Sequence, residues 1–257
     1  MAGRIARYWD AFLHRRSLRR WARKSQAVKA ADLATLRTWR GRARALRRNL
    51  DIVIHEAEHQ LALPVIGSNV IRKQMGTDWW WRPLAWKGPL PVPGLASVAS
   101  KALIGEGTTL FHDCRRSELT LRQVRNSRES DIAPYGLRMD VFKFDGSFLS
   151  LVLDLPDDVA RGLKQRHLIR MDAIVEMEKP LEIFARLNIK HGPNVEQIVR
   201  ELPLNAAEVM VEFDLGYSKI NEKRVERLWV DLIFEGPEMN QVILRDVTFS
   251  RRPRAEL

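Results

Sequence analysis

Hydrophobic positions follow two different periods along this chain. Between Leu36 and Ala57 they fall at Leu36, Trp39, Ala43, Leu46, Leu50, Val53 and Ala57, spaced alternately three and four residues apart. This is a heptad seam, and it predicts a helix from about Ala27 to Leu63 that packs on another helix or on the rest of the chain and is stopped by Pro64. Gly41 within it should cost about 1 kcal/mol relative to alanine, so the seam and not propensity is expected to hold the helix. Upstream, Ile5, Tyr8, Trp9 and Phe12 sit at helical spacing before arginines dominate, which predicts a short amphipathic segment ending near Ser25. Three readings of it compete: a helix packed on its own domain, a frayed basic tail, and an interfacial helix with rings at a headgroup boundary. Its acid-poor, arginine-rich composition also resembles an organellar transit peptide.

From about Lys101 onward the period changes to two. Leu149, Leu151, Leu153 and Leu155 alternate with Phe148, Ser150, Val152 and Asp154. Val209, Val211, Phe213 and Leu215, and then Leu228, Val230, Leu232 and Phe234, repeat the pattern, with similar runs at 137–144, 181–189 and 241–249. Many strands with few helices between them predict a mainly β fold, an antiparallel β-sandwich or jelly roll, preceded by a basic N-terminal helical arm. Between the two regimes, residues 64–101 carry Pro64, Pro83, Pro89, Pro91 and Pro93 together with four glycines. That density predicts an extended connector. Trp79, Trp80, Trp81 and Trp86 within it are expected to plug the strap into the domain it crosses, with stacking on sugars or bases as the alternative. The expected division is an arm over 1–63, a Pro/Trp-rich connector over 64–101 and a β-sandwich domain over 102–257.

Charge sharpens this division. Of the net +11, residues 1–50 hold 15 Lys plus Arg against only Asp10 and Asp32, so the rest of the chain is close to neutral. The imbalance points to an arm that meets an anionic partner and a domain that need not. Arg37, Arg40, Arg44 and Arg47 run beside the apolar seam as a positive ridge, the candidate anionic-surface-binding residues. A merely solvated face is the plain alternative; lipid headgroups, nucleic-acid phosphates and an acidic protein are the functional ones. At 45% hydrophobic and 29% charged, a disordered chain is excluded. A single cysteine, Cys114, suits a reducing cytoplasm. Neither a standard export signal nor 18 consecutive apolar residues is found, so the expected location is cytoplasmic, with peripheral attachment to the inner membrane.

Candidate chemistry is sparse. His55, Glu56 and His59 match H-E-x-x-H, the spacing that puts two zinc-ligating histidines one helical turn apart with a glutamate to activate water. In the heptad frame both histidines face away from the seam, Pro64 follows closely, and no third ligand stands at a recognisable spacing, so no metal or cofactor is expected. His112 and Cys114 are two apart and would share a strand face, which admits a reactive pair, although a small buried cysteine is the commoner case. The alternation places Arg138, Asp140, Arg186, Asn188, Glu212, Asp214, Trp229, Asp231 and Arg245 opposite the apolar side of their strands. Were those strands neighbours, they would form one polar face with a tryptophan platform. Such a face suits a polyhydroxylated ligand, because sugar rings stack their apolar sides and hydrogen-bond at their edges. Of these, Arg138, Asp140, Arg186, Asn188, Asp214, Trp229, Asp231 and Arg245 are the candidate ligand-binding residues. A solvated sheet face with cross-strand charge pairs is the competing reading. Asn188–Asn194 is expected as a loop closing over the site.

On Gly76-Thr77-Asp78-Trp79, Phe111-His112-Asp113-Cys114, Asn188–Asn194 and the C-terminal Phe249–Leu257, the chain resembles, over essentially its whole length, an uncharacterised family from Rhodobacter-like alphaproteobacteria. That resemblance implies no activity and no site residues. Residues 140–250 are also similar to galactose-binding-type jelly rolls, in which a closing strand such as Val242–Val247 is usual, without a diagnostic motif; this implies sugar binding only modestly. The leading expectation is a non-enzymatic binding protein, its sandwich recognising a polar ligand of carbohydrate type and its arm holding an anionic surface such as the bacterial inner membrane. The alternatives are a nucleic-acid-associated or assembly protein that dimerises through the seam, and a zinc-dependent hydrolase using His55, Glu56 and His59.

Overall fold

The computed structural model describes residues 2–65, 71–128 and 131–254, with side chains described at Trp9, at 12–54, at Ala57 and at the described positions from Ile71 onward. Two compact units emerge, Met1–Ile54 and His55–Leu257. In the first, α1 (Ala2–Ala27) is followed by a 3-10 turn (Val28–Ala30) and by α2 (Leu33–Val65), which continues into the second unit. The break falls a few residues after Ser25, where Asp32 caps α2 by accepting the backbone N–H of Thr35 at 2.6 Å. The helix ends at Val65, one residue beyond the expected stop at Pro64 and within the usual variation of a helix end. Lys24 lies over the rings of both Trp21 and Trp39, 4.5 and 5.4 Å from their centroids, and joins the end of α1 to the start of α2. The seam is otherwise open: Leu36 and Trp39 are half-buried, but Leu46, Leu50 and Val53 are 38%, 50% and 64% exposed. No described side chain of this unit is fully buried.

The second unit is an antiparallel β-sandwich. Its strands are β1 (Trp79–Trp81), β2 (Gly94–Ala96), β3 (Ala102–Leu103), β4 (Thr108–His112), β5 (Leu119–Arg125), β6 (Tyr135–Val141), β7 (Leu149–Asp154), β8 (His167–Met177), β9 (Ile183–His191), β10 (Asn194–Glu201), β11 (Glu208–Asp214), β12 (Val225–Phe234) and β13 (Asn240–Pro253). One sheet has the order β11-β8-β13-β6-β5-β2 with β1 also on β13, and the other has β10-β9-β12-β7-β4-β3. Every ladder among them is antiparallel. Period two decides the layers: Leu149, Leu151, Leu153, Val209, Val211, Phe213, Leu228, Val230 and Leu232 all turn into the buried core between the sheets. Burying a leucine or phenylalanine contributes about 1.5–3 kcal/mol, so this shared layer is what the alternation stabilises.

Two expectations are corrected. The stretch expected as an extended connector belongs to the sandwich from Trp79 on: β1 and β2 pair there, and a short helix, α3 (Leu84–Lys87), buries Trp86 completely. Residues 188–194 are not a closing loop, because Asn188–His191 finish β9 and only Gly192 and Pro193 turn the chain into β10, Gly192 with φ of 60°. Three of the four tryptophans plug the strap into the domain, whereas Trp80 is exposed with the Lys73 ammonium 3.6 Å from its ring centroid. Trp79 is buried and donates to Asp158 at 3.0 Å, Trp81 stacks on Phe249 at 6.0 Å, and Trp86 donates to the Leu244 carbonyl at 2.8 Å.

β13 organises this side of the fold. It pairs with β8 along its length, while its other edge meets β6 over 240–244 and then β1 over 249–251. Between those partners the ladder to β8 slips at Leu244/Asp246, a bulge. Side chains fill the gap: Asn126 donates to the Arg245 carbonyl at 2.9 Å, and Arg82 grips Asp246 through two bonds of 2.8 Å. The backbones come so close that a Cβ on Gly136 would sit 2.9 Å from the Leu244 carbonyl oxygen.

Candidate ligand-binding face

The nine outward-facing polar positions named from the sequence do not form one surface. They divide between the outer faces of the two sheets, because β9 and β12 lie in one sheet and β6, β11 and β13 in the other.

Arg186, Asn188, Trp229 and Asp231 come together. β9 and β12 pair so that Trp229 stands opposite Asn188 and Asp231 opposite Arg186. β7 brings Asp154 beside Trp229 and Val152 beside Asp231, and β4 sets Phe111 next to Ser150. Their inward neighbours Leu187, Val230 and Leu153 are fully buried, so register alone puts these side chains on the outer face. A groove of about 520 Å³ results, lined by Phe111, Phe148, Ser150, Val152, Arg186, Arg227, Trp229, Asp231 and Ile233.

Its polar groups form a connected chain. Asp231 Oδ2 accepts from Arg186 Nε at 2.8 Å, from the Arg186 terminal nitrogen at 2.6 Å and from Asn188 Nδ2 at 3.1 Å. Asn188 Oδ1 accepts from Gln197 Nε2 at 2.9 Å. Asn188 is 1% exposed and therefore holds its neighbours in place instead of touching a ligand. Asp231 is 4% exposed and anchors Arg186, whose side chain keeps 36% of its surface open. Trp229 is half-buried, with the Arg227 guanidinium 5.3 Å from its ring centroid and itself paired with Asp154. The groove thus offers part of an indole, two anchored guanidinium groups and the apolar edges of Phe111, Phe148 and Ile233, with Gln197 supporting it from β10 through Asn188. Gln197 and Arg227 escaped the sequence reading. Arg227 continues the outward phase of Trp229 and Asp231, so the alternation could have found it, whereas Gln197 lies on β10, a strand that the interrupted alternation did not reveal.

The other five positions lie on the opposite sheet, in three separate places. Arg138 donates to Asp140 at 2.8 Å, and Thr120 and Gln241 add bonds of 2.9 and 3.1 Å, in a groove of about 620 Å³ over β5, β6 and β13. Burial pushes the Asp140 carboxyl up, but hydrogen bonds from Arg138 and Thr120 and the charges of Arg138 and Arg122 outweigh it and hold the group below the usual range. Arg245 is occupied with Glu176 at 2.6 Å and Asp131 at 3.5 Å. Asp214 caps a 3-10 turn at Gly216, at 2.8 Å, and meets Arg254 at 3.3 Å, while Glu212 pairs with Arg252 at 3.1 Å. These groups are internally paired, as cross-strand partners usually are.

The remaining motifs separate cleanly. The His112 ring accepts the Cys114 backbone N–H at Nδ1, 3.1 Å, and its Nε2 meets the Val98 carbonyl at 2.8 Å, so neither nitrogen addresses the thiol. Burial, with Asp145 and Asp113 nearby, pushes the Cys114 thiol up, away from a thiolate nucleophile. The side chains of His55, Glu56 and His59 lie outside the described residues. Among the described residues, no cluster of three or more His, Cys, Asp or Glu could hold a metal ion, and no helix is long and apolar enough to cross a membrane.

Compared with known proteins, the chain matches over residues 1–257 the profile of a family described as of unknown function, DUF6478. No curated protein matches it. It is similar in structure to the family 11 carbohydrate-binding module from Clostridium thermocellum in complex with a β-1,3-1,4-mixed-linked tetrasaccharide, with 11% identity, a TM-score of 0.39, and coverage of 65% of this chain and 99% of that one. It is also similar to the C-terminal family 22 carbohydrate-binding module of Clostridium thermocellum Xyn10B, with 8% identity, a TM-score of 0.36, and coverage of 73% and 99%. A third similar structure is the enzymatically active domain of bacteriophage CBA120 tailspike protein 4, with 9% identity and a TM-score of 0.39 over 60% of this chain, which spans only 21% of the tailspike chain.

Proposed function

Because the chain belongs to DUF6478, a family of unknown function, its role has to be read from its own surfaces, and we propose a non-enzymatic binding protein whose sandwich takes a neutral, polyhydroxylated ligand of carbohydrate type while its arginine-rich arm engages an anionic surface in the cytoplasm. The observation that carries the first half is the groove around Trp229. A half-exposed indole beside the anchored guanidinium of Arg186 offers an apolar plane next to directional donors, the combination a sugar ring needs. Pre-organisation supports it, since the Gln197–Asn188–Asp231–Arg186 chain fixes those donors before any ligand arrives. Nothing in the groove pairs a nucleophile with a base, which is why binding and not turnover is proposed.

Affinity electrophoresis of the full chain through gels containing soluble neutral polysaccharides tests the reading. Retardation by at least one polysaccharide, weakened severalfold by Trp229→Ala with an unchanged circular dichroism spectrum, is the expected result, because an aromatic platform contributes on the order of 0.5–1.5 kcal/mol. Equal retardation of wild type and Trp229→Ala, or none with any polysaccharide, would remove the groove from consideration.

A further inference from the structure

The open seam of α2 raises the question of what covers it. Leu46, Leu50, Val53 and Ile54 are 38–64% exposed, and Trp9, Phe12 and Leu13 on α1 are 51–61% exposed. A heptad seam ordinarily means a second helix, so a second copy of the chain is the first occupant to consider. The charges flanking the seam argue against it. With Leu36, Ala43 and Leu50 at one core position and Trp39, Leu46 and Val53 at the other, Arg40 and Arg47 take the flank after the seam and Arg42 the flank before it. A parallel pair would set Arg42 of one copy against Arg47 of the other, and an antiparallel pair would face the Arg40 and Arg47 flanks toward each other. Either arrangement brings like charges together where coiled coils place opposite ones. Thr35 and Asn49, on the same flank as Arg42, supply no acid to compensate.

An anionic bilayer meets the same geometry without that conflict. Apolar side chains enter the headgroup boundary, and long arginines beside them extend up to phosphates while their methylene stems stay in the apolar layer. Arg37, Arg40, Arg44 and Arg47 are all exposed, and among the described residues only Arg47 of that ridge has an acidic neighbour, Asp51 at 3.3 Å. We propose that the arm binds an anionic lipid bilayer, with the α2 seam seated at the headgroup boundary and its arginine flanks on lipid phosphates. This rests on the anionic-surface reading above and names that surface; it does not depend on what the groove holds.

The test is flotation of the full-length protein with phosphatidylcholine vesicles carrying about a third phosphatidylglycerol, against pure phosphatidylcholine, with excess duplex DNA as competitor. Sedimentation equilibrium without lipid accompanies it. The expected result is a monomer that floats only with the anionic vesicles and stays bound in the presence of DNA. Replacing Arg40, Arg44 and Arg47 together by alanine should lower vesicle affinity about a hundredfold, from roughly a factor of five per residue. Leu50→Asp with Val53→Asp should also reduce flotation, although it leaves every arginine in place. Both sets lie on exposed positions, so loss of folding is not their expected effect. Trp229→Ala should float like the wild type, so that failure of the ligand reading and failure of this one are read separately. Three results would overturn the proposal: equal flotation with both vesicles or with neither, displacement by DNA, or a dimer in solution that Leu50→Asp dissociates.

Discussion

Where β13 bulges, a guanidinium and a carboxylate have left water together. Arg82 is 4% and Asp246 6% exposed, and two bonds of 2.8 Å join them. Such a pair adds little net stability over apolar residues of the same shape, but losing one partner strands the other charge. Arg82→Ala, which leaves the buried Asp246 carboxylate without its guanidinium, should therefore cost about 3–5 kcal/mol, read from urea unfolding; a loss well below 1 kcal/mol would mean that water reaches Asp246. A second residue makes stability depend on pH. His167 is 4% exposed, its Nδ1 accepting the Lys164 backbone N–H at 3.0 Å. Burial first, then the charges of Arg251, Arg166 and Lys164, outweigh Asp78 and hold its pKa below the usual value. The unfolded chain then takes up a proton that the folded one refuses. Stability from this group is complete above about pH 6.5 and drains away as pH falls through the lower folded value. His167→Gln should flatten that part of the stability profile in chemical denaturation at stepped pH, and an unchanged slope would assign the dependence elsewhere. Neither Arg82 nor His167 stood out in the sequence, because a lone charged or imidazole side chain carries no mark of the partners that folding brings to it.

At the scale of elements, the strap from Trp79 to Trp86 shows how composition can mislead. Prolines and glycines at that density usually mean a segment outside the domain, yet here they shape short pieces that close the sheet beside β13. The tryptophans were the better guide. Trp86→Ala should cost about 3–5 kcal/mol by equilibrium unfolding, through the cavity it leaves and the carbonyl of Leu244 it deserts. Gly136→Val should lower the melting temperature by several degrees, about the effect of 1–3 kcal/mol, since β6 would have to move off β13 to admit a side chain. Long regular strands were legible from period two, as with β7, β11 and β12. β8 obeys the same rule, with Ile169, Met171, Ala173 and Val175 inward and Arg170, Asp172 and Glu176 between them, but it was not among the strands expected. β10 was not: its alternation is weak because it is an edge strand with mostly exposed side chains, charged in places, that protect it from pairing.

Across the whole molecule the two units differ in what holds them. His55–Leu257 has a shared core reaching both sheets, whereas Met1–Ile54 has no fully buried described side chain. A chain lacking residues 1–54 should unfold cooperatively with a stability within roughly 0.5 kcal/mol of the full chain, and a larger loss would show that the sandwich depends on the arm. The amino-acid sequence by itself determined the arm, the sandwich and the inward face of the long strands, because periodicity and charge are local properties that do not depend on which strand lies beside which. It also determined that the excess of positive charge belongs to the arm. Only the tertiary structure decided which outward side chains share a surface. Pairing order is set by contacts far apart in the chain, and it gathers Arg186, Asn188, Trp229 and Asp231 with Gln197 and Arg227 on one sheet while sending Arg138, Asp140, Asp214 and Arg245 to the other.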